Sequence, residues 1–485
     1  MKLNVLIRHL DSKEVSGFND FEITGITNDS RKVRPGYLFV AIKGYKANGH
    51  DFVEESLRHG AVAVVSEKKL SLDPKIPQII VRSSRKALSN LSCCFYNNPS
   101  KKIDVVGITG TNGKTTSAFL TKSIIESAGH ETGLIGTIEY QIGKKVIPAK
   151  ETTPESTELQ SLIAEMVASN IKFAVMEVSS HSAAQHRIDD ISFKTAVFTN
   201  ISAEHLDYHE TIQNYKDAKV RLFEHLKKDS FAILNADDEY GKYFADKTRA
   251  QILWYGIKSN ADVKAKICDE SMNNTMIKLS YSGAEIDINM PLIGRHNVYN
   301  ALAAAASALS LGFELETVKQ GIETAPVVLG RLESISCKQG FNVFLDFAHT
   351  QNALETVLHT LKNLAKRKLI LVFGCGGDRD KEKRPKMGKI ADENSDIFWI
   401  TNDNPRSEDP MGIVEDIKAG IKPGRPFHVQ TDRYKAIKEA LAEAKDGDLV
   451  LIAGKGHEKK QIFKDTVIPF DDKDVVKKIL SSNSS

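Results

Sequence analysis

Long hydrophobic runs are missing from this chain of 485 residues: no stretch of about 18 apolar residues occurs, so no membrane-spanning helix is expected. The opening residues, Met1-Lys2-Leu3-Asn4-Val5-Leu6-Ile7-Arg8, lack the apolar core of a secretory signal. Cysteine is scarce, and Cys93, Cys94, Cys268, Cys337 and Cys375 are odd in number with no C-x-x-C spacing. That argues against a disulfide framework or a thiolate zinc site and for reduced thiols in the cytoplasm. Charge of one sign is also lacking. Lys plus Arg is 66 against 63 Asp plus Glu, a formal charge of +3, and no dense basic patch interleaves with aromatics. Nucleic acid is therefore not an expected partner. What is present, 41% hydrophobic and 27% charged residues, suits a soluble globular protein too long for one core. About three domains are expected if each holds roughly 150 residues.

The chain is organised around Gly110-Thr111-Asn112-Gly113-Lys114-Thr115-Thr116. An apolar run, Ile103-Asp104-Val105-Val106-Gly107-Ile108, predicts a buried parallel strand before it, and Phe119, Leu120, Ile124 and Ile125 predict a helix after it. Strand, glycine loop and helix form a phosphate cradle. Glycines let backbone N–H groups close on an anion, the helix start adds a positive dipole end, Lys114 adds a full charge, and Thr115 can hold Mg²⁺. The spacing departs from the standard P-loop, because Ile108 stands where its first glycine would be. A glycine turn with a solvated lysine is the plainer alternative, which the flanking strand and helix disfavour.

Residues 1–98 alternate short strands and helices, with polar turns at 26–36 and 44–51, a strand at 61–65 and a helix near 52–59. A linker is expected at 97–102. Beyond the phosphate loop, Phe173-Ala174-Val175-Met176-Glu177-Val178 predicts a strand ending in a carboxylate, where a nucleotide-bound Mg²⁺ needs an oxygen ligand. Another strand, Ala196-Val197-Phe198-Thr199-Asn200, leads to His205-Leu206-Asp207-Tyr208-His209. A lone histidine is more often structural than ligating. The helix expected over 211–227 carries Lys219, which by pattern alone reads as solvated. Asn297 reads as a helix cap or, with Asn300, as amide recognition of a purine. In the last third, four apolar strands at 343–346, 369–373, 397–401 and 449–453 each run into a polar loop. Parallel α/β sheets bind ligands at those strand ends, so the four loops should line one crevice.

These residues resemble the Mur ligases, the ATP-dependent amide-forming enzymes of bacterial peptidoglycan synthesis. The resemblance is carried in order by Gly110 to Thr116, Met176-Glu177-Val178-Ser179-Ser180-His181, His205-Leu206-Asp207-Tyr208-His209, Gly294-Arg295-His296-Asn297, Asp346-Phe347-Ala348-His349-Thr350 and Gly454-Lys455-Gly456-His457-Glu458. Small departures are Phe347 in place of the usual tyrosine and Gln351-Asn352 in place of Pro-Asp. It implies an α/β protein of three domains. These are an N-terminal UDP-substrate domain (1–98), a central P-loop-type ATPase domain with a mostly parallel sheet (99–332), and a C-terminal Rossmann-like amino-acid domain (333–485).

By resemblance, a carboxylate of a UDP-N-acetylmuramoyl dipeptide attacks the ATP γ-phosphate, and an amine then displaces phosphate from the acyl phosphate. Lys114 and Mg²⁺ stabilise the charge, with Thr115, Glu177, His205 and Lys219, the last as a carbamate, around the metal. Asn297, Asn300, Arg331, Asp346 and His349 match the nucleotide side. Asn28, Ser30, Tyr45, Lys46, Ala47, Thr152, Thr153, Ser179, Gln185 and Arg187 match the UDP-substrate side. Asp403-Asn404-Pro405-Arg406, with Arg379, Gly454 and Glu458, resembles the signature for meso-diaminopimelate. The resemblance leaves open lysine as the amine, a folylpolyglutamate synthase, or a nucleotide-binding regulator without catalysis. A cytoplasmic monomer is expected.

Overall fold

The computed structural model describes residues 1–482 apart from Asp11, Ser12, Phe18, Tyr45 and Lys46. It contains three principal sheets. The first has five strands in the order Lys13–Ser16, Gln78–Val81, Ala61–Ser66, Tyr37–Val40 and Gly25–Thr27, parallel except for the edge strand Lys13–Ser16. Its β-branched runs are buried, as Val64, Val65 and Ile79 are, because helices cover a parallel sheet.

The central sheet has eleven strands. Its parallel centre runs Phe231–Asn235, Phe193–Phe198, Asp104–Thr109, Phe173–Glu177 and Thr132–Ile135, and antiparallel hairpins extend both edges. Helix Lys114–Ser127 packs on one face beside the alanine-rich helix Arg295–Ser310. Small side chains let these backbones approach closely. At Gly321 a Cβ would stand 2.3 Å from the Ile124 Cα, so helix Leu315–Glu323 meets helix Lys114–Ser127 backbone to backbone.

The third sheet has six strands in the order Glu333–Ile335, Asn342–Asp346, Leu449–Ala453, Leu369–Phe373, Ile397–Ile400 and His428–Val429. All but the first pair are parallel, so the loops after Asp346, Ala453, Phe373 and Ile400 emerge side by side. The four apolar strands expected from sequence are the centre of this sheet. Below the loops a fully buried ion pair, Arg433 with Asp472 at 2.8 and 2.7 Å, also donates from Arg433 to the Ala453 and Asn402 carbonyls, tying two loop starts to two helices. Along 97–102 the chain turns through Asn98, left-handed at φ +50°, into a short 3-10 turn.

Candidate active site

Gly110 and Gly113 have φ of +148° and +88°, the left-handed side that glycine tolerates. Each is also pressed by a neighbour: a Cβ would stand 1.9 Å from Thr199 Oγ1 at Gly110 and 2.3 Å from Asn300 Oδ1 at Gly113. The loop is braced from the next strand, where Asn200 accepts from the Asn112 N–H and donates to its carbonyl, both at 3.0 Å. Thr111 Oγ1 pairs with the Tyr215 hydroxyl at 3.0 Å, and Thr116 is buried in the first turn of the helix. Lys114 Nζ curls back on the Gly110 and Thr111 carbonyls at 2.9 and 2.8 Å. Burial pulls its pKa below the ordinary lysine value, against the opposing charges of Glu204 and Glu177.

Lys219 is 2% exposed, and its Nζ donates to the same Gly110 carbonyl at 2.8 Å while lying 4.4 Å from the Tyr215 ring centre. Burial and then the charge of Lys114 drive its pKa far below that of a free lysine. The sequence reading of a solvated lysine is thus wrong for this helix. Tyr215, Ala218, Lys219, Leu222 and Phe223 are all buried, and their spacing puts Lys219 on the inward stripe of Ile212–Glu224.

Glu177 closes the end of its strand as expected. Its Oε2 accepts from Thr115 Oγ1 at 2.9 Å and Thr137 Oγ1 at 3.0 Å, and its Oε1 from the Thr137 N–H at 2.8 Å. Thr137 also meets Thr152 at 3.1 Å, and Thr153 Oγ1 donates to the Glu177 carbonyl at 2.8 Å and lies 3.5 Å from Ser179 Oγ. Arg331, from the segment joining the second and third sheets, donates to Thr115 Oγ1 at 3.1 Å and lies over Phe347.

His205, left-handed at φ +56°, is 44% exposed at the side chain and packs edge-on to His181 at 4.7 Å. Its Nε2 lies 3.9 Å from Glu204 Oε1, which is 3.7 Å from His349 Nε2. Glu204 thus stands between a central-sheet loop and a third-sheet loop. Among the described residues no group of three His, Cys, Asp or Glu side chains is close enough to hold a metal. Thr115 with Glu177 nevertheless offers the hard oxygen donors that Mg²⁺ prefers, and Mg²⁺ is commonly held by one or two carboxylates with substrate phosphates completing the shell.

Asn297 is not the cap of its helix, a place held by Gly294. Its amide donates to the Ile293 carbonyl at 2.8 Å and accepts from Asn300 at 3.0 Å, fixing Asn300 against Gly113. Asp346 gives both oxygens to backbone, to the Leu332 N–H at 2.6 Å and the Ala348 N–H at 2.8 Å, and burial raises its pKa to about 6. His349 Nδ1 faces the Phe347 carbonyl at 2.8 Å.

The third-sheet loops interlock. Asn404 donates to Glu458 Oε2 at 2.8 Å, and the fully buried Lys455 donates to the same oxygen at 3.0 Å and to Asn404 Oδ1 at 3.3 Å. Burial alone would raise the Glu458 pKa, but Lys455 and Asn404 hold it below the usual value. Asp403 lies against Gly454, where a Cβ would be 2.7 Å from its Oδ2. Arg406 donates to the Gly377 carbonyl at 2.6 Å, and burial followed by the like charge of Arg379 lowers its pKa. Arg379 itself donates to the Asp378 carbonyl at 3.1 Å, and the Pro405 carbonyl presses on Gly377.

On the first-sheet side, Arg187 contacts Glu151, the Thr153 carbonyl at 2.8 Å, Gln185 Oε1 at 2.9 Å and Glu155 at 2.9 Å. Arg85 reaches across from the first unit to the same Gln185 oxygen at 3.3 Å. Asn28 and Ser30 lie just beyond strand Gly25–Thr27, and the Ala47 carbonyl accepts from the Gly44 N–H at 2.9 Å. Tyr45 and Lys46 fall outside the described residues.

Three family models match along the chain: the Mur ligase family catalytic domain at 22–96, the Mur ligase middle domain at 108–308 and the Mur ligase glutamate ligase domain at 330–456. A relative from Bacillus velezensis, named UDP-N-acetylmuramoyl-L-alanyl-D-glutamate--2,6-diaminopimelate ligase, is 45% identical over 98% of both chains. The chain belongs to the Mur ligase family of ATP-dependent peptide ligases. A solved structure bearing the same enzyme name aligns over 96% of both chains at 32% identity, with a TM-score of 0.69. A folylpolyglutamate synthase of Mycobacterium tuberculosis aligns over 76% of this chain at 19% identity and a TM-score of 0.61, a likeness of fold alone. The folate and regulator alternatives are accordingly not favoured.

Sequence reasoning missed several residues of this ligase. Thr137 and Glu204 carry no local motif signal, since Thr137 acquires its partner Glu177 only through the fold. Lys455 stands within a quoted motif but has a partner, Asn404, 51 positions away.

Proposed function

We propose that this ligase joins meso-diaminopimelate to UDP-N-acetylmuramoyl-L-alanyl-D-glutamate, using ATP, in the cytoplasm. The observation that carries this reading is the third-sheet loop cluster. Arg406, with Arg379 beside it, offers guanidinium N–H groups, while Glu458 and Asp403 offer carboxylates. Diaminopimelate ends in an amino acid head, so its distal carboxylate suits the Arg406 fork and its ammonium suits the acids. Lysine lacks that carboxylate and would leave a partly buried guanidinium without an anionic partner, a disadvantage of about 2–5 kcal/mol. The names of the relatives agree with this choice.

The chemistry follows from the phosphate side. The loop amides of 110–116 and Lys114 hold the ATP phosphates, and Asn297 with Asn300 supports the nucleotide against Gly113. The carboxylate of the dipeptide attacks the γ-phosphorus, the bond to the β-γ bridging oxygen breaks, and ADP leaves with that electron pair. The amine then attacks the acyl carbon, and inorganic phosphate departs from the tetrahedral intermediate. Charge grows on phosphoryl oxygens in both steps, where Lys114 and the loop amides lower the barrier. Thr115 and Glu177, with His205 and Lys219, would hold Mg²⁺, and a bound ion would supply further neutralisation of charge on the phosphates.

Lys219 is suited to become a carbamate, since burial and the charge of Lys114 favour its neutral amine; attack of that amine on CO₂, with loss of one proton to solvent, would turn it into an anion beside the residues that would hold Mg²⁺. Thr152, Thr153, Ser179, Gln185 and Arg187 lie along the path of the dipeptide, with the UDP end at Asn28, Ser30, Tyr45, Lys46 and Ala47. Arg187 is held by acids in this structure and would exchange Glu151, which is half exposed, for a substrate carboxylate. On this reading the divisions 1–98, 99–332 and 333–485 take these three tasks in turn.

The test is phosphate release with the UDP-linked dipeptide and either meso-diaminopimelate or L-lysine. Strong preference for diaminopimelate that disappears in Arg406→Ala supports the reading; preference for lysine removes the assigned role of Arg406.

A further inference from the structure

We propose that Arg384 is a positioning residue for recognition of the distal head of the amino acid, acting through the guanidinium of Arg406. The inference rests on the role given to Arg406 above.

Arg384 lies in the first turn of helix Lys383–Asn394 and is completely buried. It grips Glu408 with both terminal nitrogens at 2.9 Å, reaches Asp416 at 2.8 Å, and donates to the Gly376 carbonyl at 3.3 Å. The Glu408 carboxylate in turn accepts from the Asp378 N–H at 2.6 Å. One guanidinium therefore fastens two loops that leave different strands, the loop after Leu369–Phe373 and the turn after Ile397–Ile400.

Those two loops make the seat of Arg406. Its guanidinium donates to the Gly377 carbonyl at 2.6 Å, and the Gly377 N–H donates to the Asn404 carbonyl at 2.9 Å. A Cβ on Gly376 would stand 3.0 Å from Arg406 Nη1, so the loop presses directly on the recognising group. Asp378 and Arg406 are both left-handed, with φ of +52° and +53°, a strained backbone for residues with side chains that persists only when its surroundings hold it. Ser407 adds a hydroxyl bond to Asp378 at 2.5 Å, and the exposed Lys381 lies 3.4 Å from Glu408, but Arg384 is the buried anchor that holds Glu408 with two nitrogens and reaches the Gly376 carbonyl as well. A fork bridging two carboxylates and a carbonyl is geometry that arginine provides and lysine does not. Burying such a charge is costly without its carboxylate partners, so a loosened Arg384 should free the Gly376–Asp378 loop and let Arg406 drift from the distal carboxylate.

Lysine as substrate has no distal carboxylate, so its use should not depend on this seat. The full-length ligase with Arg384→Lys is assayed by phosphate release against meso-diaminopimelate and L-lysine, with Glu408→Gln as a second route to the same break. The expected result is a KM for diaminopimelate raised roughly 10- to 100-fold, with the KM for ATP and the kcat at saturation within about twofold of the parent. The ratio of kcat/KM for diaminopimelate over lysine should fall by a similar factor. In an Arg406→Ala background, Arg384→Lys should leave that ratio where Arg406→Ala already put it, since the two act as one unit. A ratio that is unchanged in both single variants, or effects of Arg384→Lys and Arg406→Ala that multiply, would overturn the proposal. If Arg384→Lys does not fold, the ratio in Glu408→Gln decides alone. If the parent enzyme makes no product from diaminopimelate, the role of Arg406 falls first and takes this inference with it; a diaminopimelate-selective parent with insensitive variants refutes this inference alone.

Discussion

Lys114 and Lys219 donate to one acceptor, the Gly110 carbonyl oxygen, at 2.9 and 2.8 Å, from helices on separate stretches of chain. Two ammonium groups sharing an oxygen repel, and in a buried site that repulsion is poorly screened. The arrangement eases if one amine gives up its proton, and at Lys219 burial is joined by the like charge of Lys114 in driving the pKa well below the ordinary lysine value.

From this follows the first expectation. Lys219→Ala should lose on the order of 10³-fold in kcat, about 4 kcal/mol of transition-state stabilisation. Small carboxylates added to the assay should restore part of it, because they can occupy the space of a carbamate. Incorporation of labelled bicarbonate into the parent protein, read by carbon NMR, should disappear in the variant. Full activity of the parent in CO₂-free buffer, without rescue of the variant, would remove the carbamate from the mechanism.

Gly113→Ala tests the nucleotide cradle. The new methyl would collide with Asn300 Oδ1 and would have to adopt φ +88°. Together the clash and the backbone strain should cost about 2–4 kcal/mol. The expected reading is a raised KM for ATP by tenfold or more, with diaminopimelate affinity little changed. An unchanged KM for ATP would mean that Asn300 moves freely and is not part of the cradle.

Asp346 makes a prediction about pH. Its carboxyl is raised to about 6 by burial, above the roughly 3.9 of an unfolded aspartate. The folded protein therefore binds this proton more readily than the unfolded chain. Its contribution is fully present below pH about 4 and is lost as pH rises through about 6, a change on the order of 2–3 kcal/mol. Asp346→Asn fixes the neutral form and should remove that component from the pH profile, whatever constant offset it adds. Denaturant unfolding of both proteins at several values from pH 4 to 7 reads the difference, and parallel profiles would contradict the assignment.

Much of this was legible in the chain. The four third-sheet strands were visible because a strand buried on both faces must be continuously apolar, as Leu369-Ile370-Leu371-Val372-Phe373 is. Glu177 was visible because it ends such a strand with a charge. The hairpins at 263–290 were passed over although Ala284–Met290 sets Ile286, Ile288 and Met290 in alternation with polar residues, the pattern of a half-buried strand; a search for continuous apolar runs does not find it. Lys219 was misread although its helical spacing with Tyr215 and Leu222 carried the information; a charged residue on an apolar stripe is discounted unless a partner is known. Arg384 and Lys455 were silent for a different reason. Arg384 is made tolerable by Glu408 and Asp416, which only the fold brings in; Lys455 has its counterion Glu458 three residues on, but Asn404, which completes its surroundings, is 51 positions away.

The last expectation concerns motion between the second and third sheets. Arg331 sits on the connecting segment, hydrogen-bonds Thr115 and lies over Phe347, while Gly330 packs against Gly456 so closely that a Cβ would be 2.4 Å from its carbonyl carbon. Thr115 is the hydroxyl assigned to the metal, so nucleotide binding competes with Arg331 for it. Binding of ATP with Mg²⁺ should free Arg331 for phosphate, and the third sheet should move against the second as the cleft takes ligands from both sides. Small-angle scattering should give different curves for the protein alone and with a non-hydrolysable ATP analogue and Mg²⁺. Arg331→Ala should reduce that difference and lower kcat by roughly 10- to 100-fold, since closure assembles the reacting groups. Superimposable curves for the parent would mean that the cleft is already set before ATP arrives, and that the contact between Arg331 and Thr115 is a fixed strut.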